Sequence, residues 1–301
     1  MTYRVLFAIL ILGCSVVATA ARSEEPTTIK YGSEPTSFGE LQLPTSKAGP
    51  FPVAVLIHGG CWRSQSGSTT SFRALADRLA ADGIAAWNIE YRRVGHAGGG
   101  WPGTFLDLGK AVDLLPQLSR QYSLDLSRIV LVGHSSGGHF AAWLAARKRL
   151  PKTSEIRGEP AVDFRGVVLA DAFIDPLVID SKGVDGALYC GEPVLERLIG
   201  GGAEARAEQL RQISPIAWLP WSTQQEYVIS SRRYPVTPPR PLADGRTTMV
   251  MQDYPALARA AGDTINVDIV QHADHGDFTK AETGAFEAVR RAVLRLLQDS
   301  R

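Results

Sequence analysis

Of the 301 residues, 45% are hydrophobic and 21% charged, and 32 Lys and Arg stand against 31 Asp and Glu. These are the proportions of a globular protein rather than a disordered chain, with no charge bias toward nucleic acid or an anionic membrane surface. The length allows one large buried core, and 29 Gly with 18 Pro speak for a loop-rich surface and against a helical bundle.

The chain begins like a targeting segment. Residues 1–4 carry one basic side chain, Arg4, and residues 5–17 are almost wholly apolar. Ala18-Thr19-Ala20 then offers small residues at cleavage-compatible positions, ahead of the polar Arg22-Ser23-Glu24-Glu25. This order predicts a secretory signal peptide over 1–20. A retained anchor is the alternative, although the apolar run is short for a span. Ile11-Leu12-Gly13-Cys14 also loosely resembles a lipobox, which would leave a lipid on Cys14. Each reading places the mature domain outside the cytoplasm, periplasmic or secreted. There Cys61 and Cys190 can pair. Their spacing does not choose between a disulfide and two buried thiols, and neither sits in a metal-ligand pattern.

From residue 28 strand-like and helix-like runs alternate. Residues 28–31 and 38–43 read as short strands of an antiparallel start. The apolar run at 53–57 suits a strand buried on both faces. A helix is predicted over 72–81, a strand over 84–91, a helix over 105–122, a strand over 129–132, a helix over 137–149 and a strand over 166–170. The alternation is lost over 175–220, where short helical pieces mix with Gly and Pro. It returns with a strand at 227–229, a helix over 249–261, a strand over 265–270 and a last helix over 282–297. Such alternation predicts an α/β fold, a mainly parallel central sheet flanked by helices. It gives one domain over 28–301, with 175–220 as a small cap insertion over one end of the sheet.

Gly133-His134-Ser135-Ser136-Gly137 fits G-x-S-x-G, and its setting carries more weight than the match. An apolar strand leads in and a small-residue helix leads out, as a nucleophile elbow requires. Ser135 is the candidate nucleophile. A serine hydroxyl needs a base and a stabiliser for the oxyanion it generates. His58-Gly59-Gly60-Cys61-Trp62, after the strand at 53–57, resembles the HGGG-type loop of lipases and esterases. The candidate oxyanion donors are the backbone amides of Gly60 and Cys61, with that of Ser136. Chain order on such folds runs Ser, then Asp or Glu, then His. Of the six histidines, His272 and His275 follow the last strand. His275 is the candidate base and His272 the alternative.

The acid is expected after the strand at 227–230, where Ser230-Ser231-Arg232-Arg233-Tyr234 has no carboxylate. Asp244, in Ala243-Asp244-Gly245 beyond a Pro-rich stretch, is the candidate. Asp-Gly is also a common turn pair. Asp253 falls within a helical pattern, Asp274 is close to His275 in sequence, and a fourth reading has no carboxylate at all. Trp62 and Trp101 are candidate walls of a substrate pocket, with packing beside Gly-rich loops as an equal reading. Trp218 and Trp221 read as packing.

Taken together, HGGCW, YRRVG, the run from GGGWPGTFLDL to GHSSGGHFAAWLAAR, SPIAWLP and HGDF resemble the bacterial esterase/lipase branch of the α/β-hydrolase superfamily. More narrowly they resemble its kynurenine-formamidase-like and feruloyl-esterase-like members. The likeness covers nearly everything after the leader. It implies a Ser–Asp–His acyl hydrolase with no metal and no cofactor, its triad serine on Ser135, its histidine on His275 and its oxyanion loop on Gly60 and Cys61. That branch usually carries Gly-x-x-Asp where this sequence has none; counting back from the helix at 254–262 lands near Asp244. The expected substrate is a small-molecule carboxylic ester. An arylformamide, another amide or a peptide is the same chemistry on another acyl bond, and a catalytically silent binding protein is the reading from a different class.

Overall fold

The apolar run after Pro50 forms β3 (Phe51–Ile57), which lies inside an eight-stranded sheet ordered β1-β2-β4-β3-β5-β6-β7-β8. The computed structural model describes residues 25–45, 48–175, 190, 194–200, 203–232 and 253–298. The predicted leader with Cys14, and Asp244, lie outside the described residues. Strands β1 (Thr27–Lys30) and β2 (Phe38–Gln42) pair antiparallel, and β2 pairs antiparallel with β4 (Ala85–Ile89). From β4 onward every pairing is parallel: β3 with β4 and with β5 (Leu124–His134), then β6 (Gly166–Ala170), β7 (Gln224–Ser230) and β8 (Ile265–Val270).

Side chains alternate across a strand, so each strand feeds two cores. Val53, Val55 and Ile57 of β3 face one core with α2 (Gly103–Asp113), α3 (Leu115–Tyr122) and α4 (Ser136–Ala146). Ala54 and Leu56 face the other, with α1 (Arg73–Ala81) and the last helix, α8 (Gly284–Leu297). Burial on both faces is why these strands read as unbroken apolar runs rather than as alternation.

Three boundaries differ most from the sequence reading. The helix expected over 105–122 is two helices, α2 and α3, with Pro116 in the first turn of the second. Proline has no N–H to continue the first helix but fits the opening turn of another. Strand β5 begins five residues early, at Leu124, because Leu124 pairs with Phe51 before the register shifts. The helix expected from 249 starts at Tyr254 as α7 (Tyr254–Ala260), again with a proline in its first turn.

Residues 171–223 lie between β6 and β7. The described part holds α5 (Leu195–Ile199) and α6 (Ala203–Ile213). Among the described residues no helix is long and apolar enough to cross a membrane. Strand order reverses at β3: the chain leaves it for β4 on one side and resumes with β5 on the other. In open α/β sheets the crevice at such a reversal, beyond the carboxyl ends of the strands, is where ligands sit. The loops after β3 and β5 carry the two motifs.

Candidate active site

Ser135 stands between β5 and α4 with φ 56° and ψ −125°. This backbone conformation is rarely taken by a residue with a side chain and persists only where its surroundings hold it. Neighbouring glycines make it sterically feasible. A Cβ on Gly133 would lie 2.2 Å from the Gly137 carbonyl oxygen, and one on Gly137 2.1 Å from that of Ile57. Hydrogen bonds then fix the turn to the adjacent strand. The Ser135 N–H donates to the Ala170 carbonyl at 3.1 Å, and the Phe173 N–H donates to the Ser135 carbonyl at 3.1 Å. Ser135 is thereby anchored to the end of β6. The first turn of α4 follows at Ser136, so the positive end of the helix lies at the elbow.

The loop after β3 lies directly against the serine. A Cβ placed on Gly59 would come 2.9 Å from Ser135 Cβ and 2.9 Å from the His134 carbonyl oxygen. Glycine is required here by close approach, not by turn geometry. Gly60, Cys61 and Trp62 then take φ of 129°, 52° and 58°. The Trp62 N–H donates to Ser136 Oγ at 3.4 Å, joining this loop to the start of α4. Among the described residues, the backbone N–H groups of Gly60 and Ser136 have no protein acceptor. Amides in such a place are suited to an anionic ligand atom.

Beneath the loop His58 is fully buried. Its Nε2 meets Glu90 Oε1 at 3.0 Å and its Nδ1 meets the Gly59 carbonyl at 2.7 Å. Arg93 also donates to Glu90 Oε1, at 3.0 Å, and to the Ser66 carbonyl at 2.7 Å. Burial pushes the Glu90 carboxyl up, but the His58 hydrogen bond and the charges of His58 and Arg93 outweigh it. The group is left below the usual carboxylate range. Sequence reading took His58 only as part of a motif; here it is the post on which the loop stands.

His275 opens a short helical turn after β8, with Asp274 and Asp277 exchanging side-chain and backbone hydrogen bonds in a capping box. His134 brings this turn to the elbow. Its Nε2–H donates to the His275 carbonyl at 2.8 Å, and the two imidazole rings lie 4.5 Å apart. Among the described residues no hydrogen bond joins His275 to Ser135 Oγ. The base candidate is positioned beside the nucleophile through the residue that precedes it. His272, the alternative, is exposed; its backbone N–H donates to Ser231 Oγ at 3.0 Å.

Among the described residues, the carboxylate that meets His275 is Asp171. His275 Nδ1–H donates to Asp171 Oδ2. Asp171 is fully buried and follows Ala170, the last residue of β6. Its N–H donates to the Val228 carbonyl at 2.7 Å, and its Oδ1 accepts from the Ser230 N–H at 3.1 Å. The end of β7, which has no acid of its own, thus grips the acid of the neighbouring strand. The candidate chosen from sequence, Asp244, is not among the described residues; among those, the acid paired with His275 follows β6 rather than β7. One signal in the sequence pointed to Asp171: a lone carboxylate at the end of the all-apolar strand Gly166-Val167-Val168-Leu169-Ala170. Asp274 instead contacts Arg232.

Trp62 is 1% exposed, and its indole N–H donates to His139 Nδ1 at 3.1 Å. A side chain so enclosed packs the core, the packing reading that the sequence offered beside the pocket wall. Trp101 packs on Phe105 and donates to Glu155 Oε1 at 2.7 Å, and its backbone N–H meets the Leu198 carbonyl of α5 at 2.7 Å. These contacts tie it to the insertion; none links it to Ser135. Trp221 is buried as expected, donating to the Pro215 carbonyl at 2.9 Å. Cys61 and Cys190 form a disulfide, Cα atoms 5.6 Å apart, across 129 residues of sequence.

A family model described as BD-FAE matches residues 40–238. A probable isoprenylcysteine alpha-carbonyl methylesterase of Oryza sativa subsp. japonica is 30% identical over 129 residues, 42% of this chain and 29% of that protein. Its counterpart in Arabidopsis thaliana is 27% identical over 128 residues, 42% and 26% of the two chains. The matched stretch thus spans less than a third of either plant protein. Among solved structures, a truncated carbohydrate esterase from gut microbiota superposes with a TM-score of 0.69 at 18% identity, covering 92% of this chain and 97% of that one. Esterase B from Lactobacillus rhamnosis gives 0.70 at 17% identity, covering 92% and 88%. Likeness at this identity carries the α/β-hydrolase fold.

Proposed function

The chain belongs to the BD-FAE family of esterase-type α/β hydrolases, and from that premise we propose that it cleaves a carboxylic ester by an acyl-enzyme mechanism on Ser135, His275 and Asp171. The observation that carries this reading is the pairing of His275 with the buried Asp171, held beside the strained turn of Ser135. Ser135 Oγ attacks the ester carbonyl while His275 Nε2 takes its proton. Asp171 keeps Nδ1 protonated, so Nε2 is the basic nitrogen, and it stabilises the imidazolium that forms. The amides of Gly60, Cys61 and Ser136 receive the oxyanion. His275 then gives the proton to the departing alcohol, and a water activated by the same histidine releases the acid.

Asp171 supplies a carboxylate from the strand next to β5, which favours an enzyme over a catalytically silent binding protein. The names of the matched relatives favour an ester over an amide. The disulfide favours export to an oxidising compartment, in line with the leader-like first 20 residues. A fluorophosphonate probe tests the assignment of the nucleophile. Wild-type protein is expected to label at Ser135 and to hydrolyse p-nitrophenyl acetate, and Ser135→Ala to do neither. Folded wild-type protein that does not label would overturn it. A panel of esters set against N-formylkynurenine decides the acyl bond.

A further inference from the structure

Three successive residues of the proposed oxyanion turn, Gly60, Cys61 and Trp62, have positive φ, and two of them are not glycine. L side chains rarely adopt this conformation, and it persists only where the surroundings impose it. Among the described residues, the Arg63 N–H donates to the Gly60 carbonyl at 3.0 Å, the Val94 N–H to the Trp62 carbonyl at 2.9 Å and the Trp62 N–H to Ser136 Oγ at 3.4 Å. Each of the two strained residues is tethered by its side chain. Cys61 is bonded to Cys190. The Trp62 indole donates to His139 Nδ1, and His139 Nε2–H donates onward to the Ile213 carbonyl at 2.7 Å.

The tethers share a destination. Cys190 and Ile213 both belong to the chain between β6 and β7. Cys190 is 3% exposed, and His139 and Ile213 are fully buried, so neither connection is a surface accident. His139 has one nitrogen facing an N–H donor and the other a carbonyl acceptor. Only the neutral Nε2–H form satisfies both, and burial pushes its imidazole down to about 4 against the opposing pull of the Ile213 carbonyl.

We infer that the insertion between β6 and β7 holds the oxyanion turn in its active shape, through the Cys61–Cys190 disulfide and the Trp62–His139–Ile213 relay. Cys190 and His139 are positioning residues. This rests on the esterase reading above. When the tethers open, Cys61 and Trp62 relax toward negative φ, the intervening peptide planes rotate, and the Cys61 amide leaves the oxyanion position. A dithiol performs the opening: it loses two electrons and two protons as it closes to its own disulfide, and Cys61 and Cys190 take them up as thiols. The hole is therefore complete only in an oxidising compartment.

The test uses the full chain with p-nitrophenyl acetate as substrate. On reduction by dithiothreitol, with thiols counted and the fold followed by circular dichroism, kcat is expected to fall about tenfold or more while KM changes little, as for a displaced oxyanion donor. Reoxidation restores it. His139→Leu is expected to lower kcat likewise with the disulfide closed. His139→Gln, which keeps an acceptor and a donor side by side, retains most of it. Unchanged kcat in protein whose Cys61–Cys190 bond is shown open, or a wild-type kcat in His139→Leu, overturns the inference. If the oxidised protein neither turns over ester nor labels at Ser135, the esterase reading has failed instead. Hydrogen exchange of residues 58–67 then decides the tether: faster on reduction supports it, unchanged rejects it.

Discussion

Asp171 and His275 meet across 104 residues of sequence, one at the carboxyl end of β6 and the other beyond β8. Strand β7 lies between them in the sheet. It contributes no carboxylate to the pair; its Val228 carbonyl accepts the Asp171 N–H and its Ser230 amide fixes Asp171 Oδ1.

That arrangement predicts which carboxylate matters. In Asp171→Asn an N–H replaces the acceptor facing His275 Nδ1, and the histidine turns to the wrong tautomer. A fall in kcat of about three to four orders of magnitude is expected, as when the orienting acid of a serine triad is lost. Asp244→Asn is expected to stay near wild type. Steady-state kinetics of both variants decide it, and the reverse ranking would return the acid to Asp244.

Gly59→Ala places a methyl group 2.9 Å from Ser135 Cβ and from the His134 carbonyl oxygen. The loop or the elbow must give way by a few tenths of an ångström or more. Misplacement on this scale is expected to cost about a hundredfold in kcat. Thermal unfolding separates this loss from a failure to fold, since the fold is expected to remain.

Trp62→Phe keeps most of the bulk but leaves His139 Nδ1 buried without its donor. A stability loss of about 1–3 kcal/mol in urea unfolding is expected. KM for a panel of acyl chains is expected to be unchanged, because the indole is a packing group. A shift in acyl-chain preference would restore Trp62 to the substrate pocket.

His139 sets a pH term. Its native pKa is pushed from 6.5 down to about 4 by burial. Between these values the unfolded chain holds more protons than the native one, so stability rises with pH. The contribution is fully present above about pH 6.5 and is lost as pH falls toward 4, a difference of about 3 kcal/mol at 1.36 kcal/mol per unit. His139→Gln removes it. The difference in unfolding free energy between wild type and variant should therefore shift by that amount across the window, and a constant difference would reject the assignment.

The nucleophile was legible because everything it needs is local: an apolar strand, two glycines and a small-residue helix within about twenty residues. The loop of Gly59 and Gly60 was legible for the same reason. The base required chain order as well, and of the two histidines in that position His275 is the one paired with an acid. Asp171 was not found, because nothing in a linear pattern says that β6 lies between β5 and β7 or that Ser230 presents its amide to the neighbouring strand. Trp62 was open to two readings because a glycine-rich loop gives no periodicity from which to tell a core face from a pocket face. His134 and His139 lie in the motif and the helix that follows it, yet their partners, His275 and Ile213, come 141 and 74 residues later.

Helix α8 closes one of the two cores with Phe286, Val289, Val293 and Leu296. Leu296 presses on Gly166 at the base of β6, where any Cβ would lie 2.6 Å from its methyl groups. Arg290 of the same helix is bonded to Asp82, just past α1. Domains generally fold as units, N-terminal ones first during synthesis. Here the strand that ends in Asp171 is seated by the last helix, and the histidine it serves comes only a few residues before that helix. On the proposed mechanism, a chain halted before β8 carries Ser135 but neither His275 nor the helix that wedges against β6. Hydrolysis is therefore expected only once the last helix has been made and seated, and a nascent chain short of it is expected to be inert.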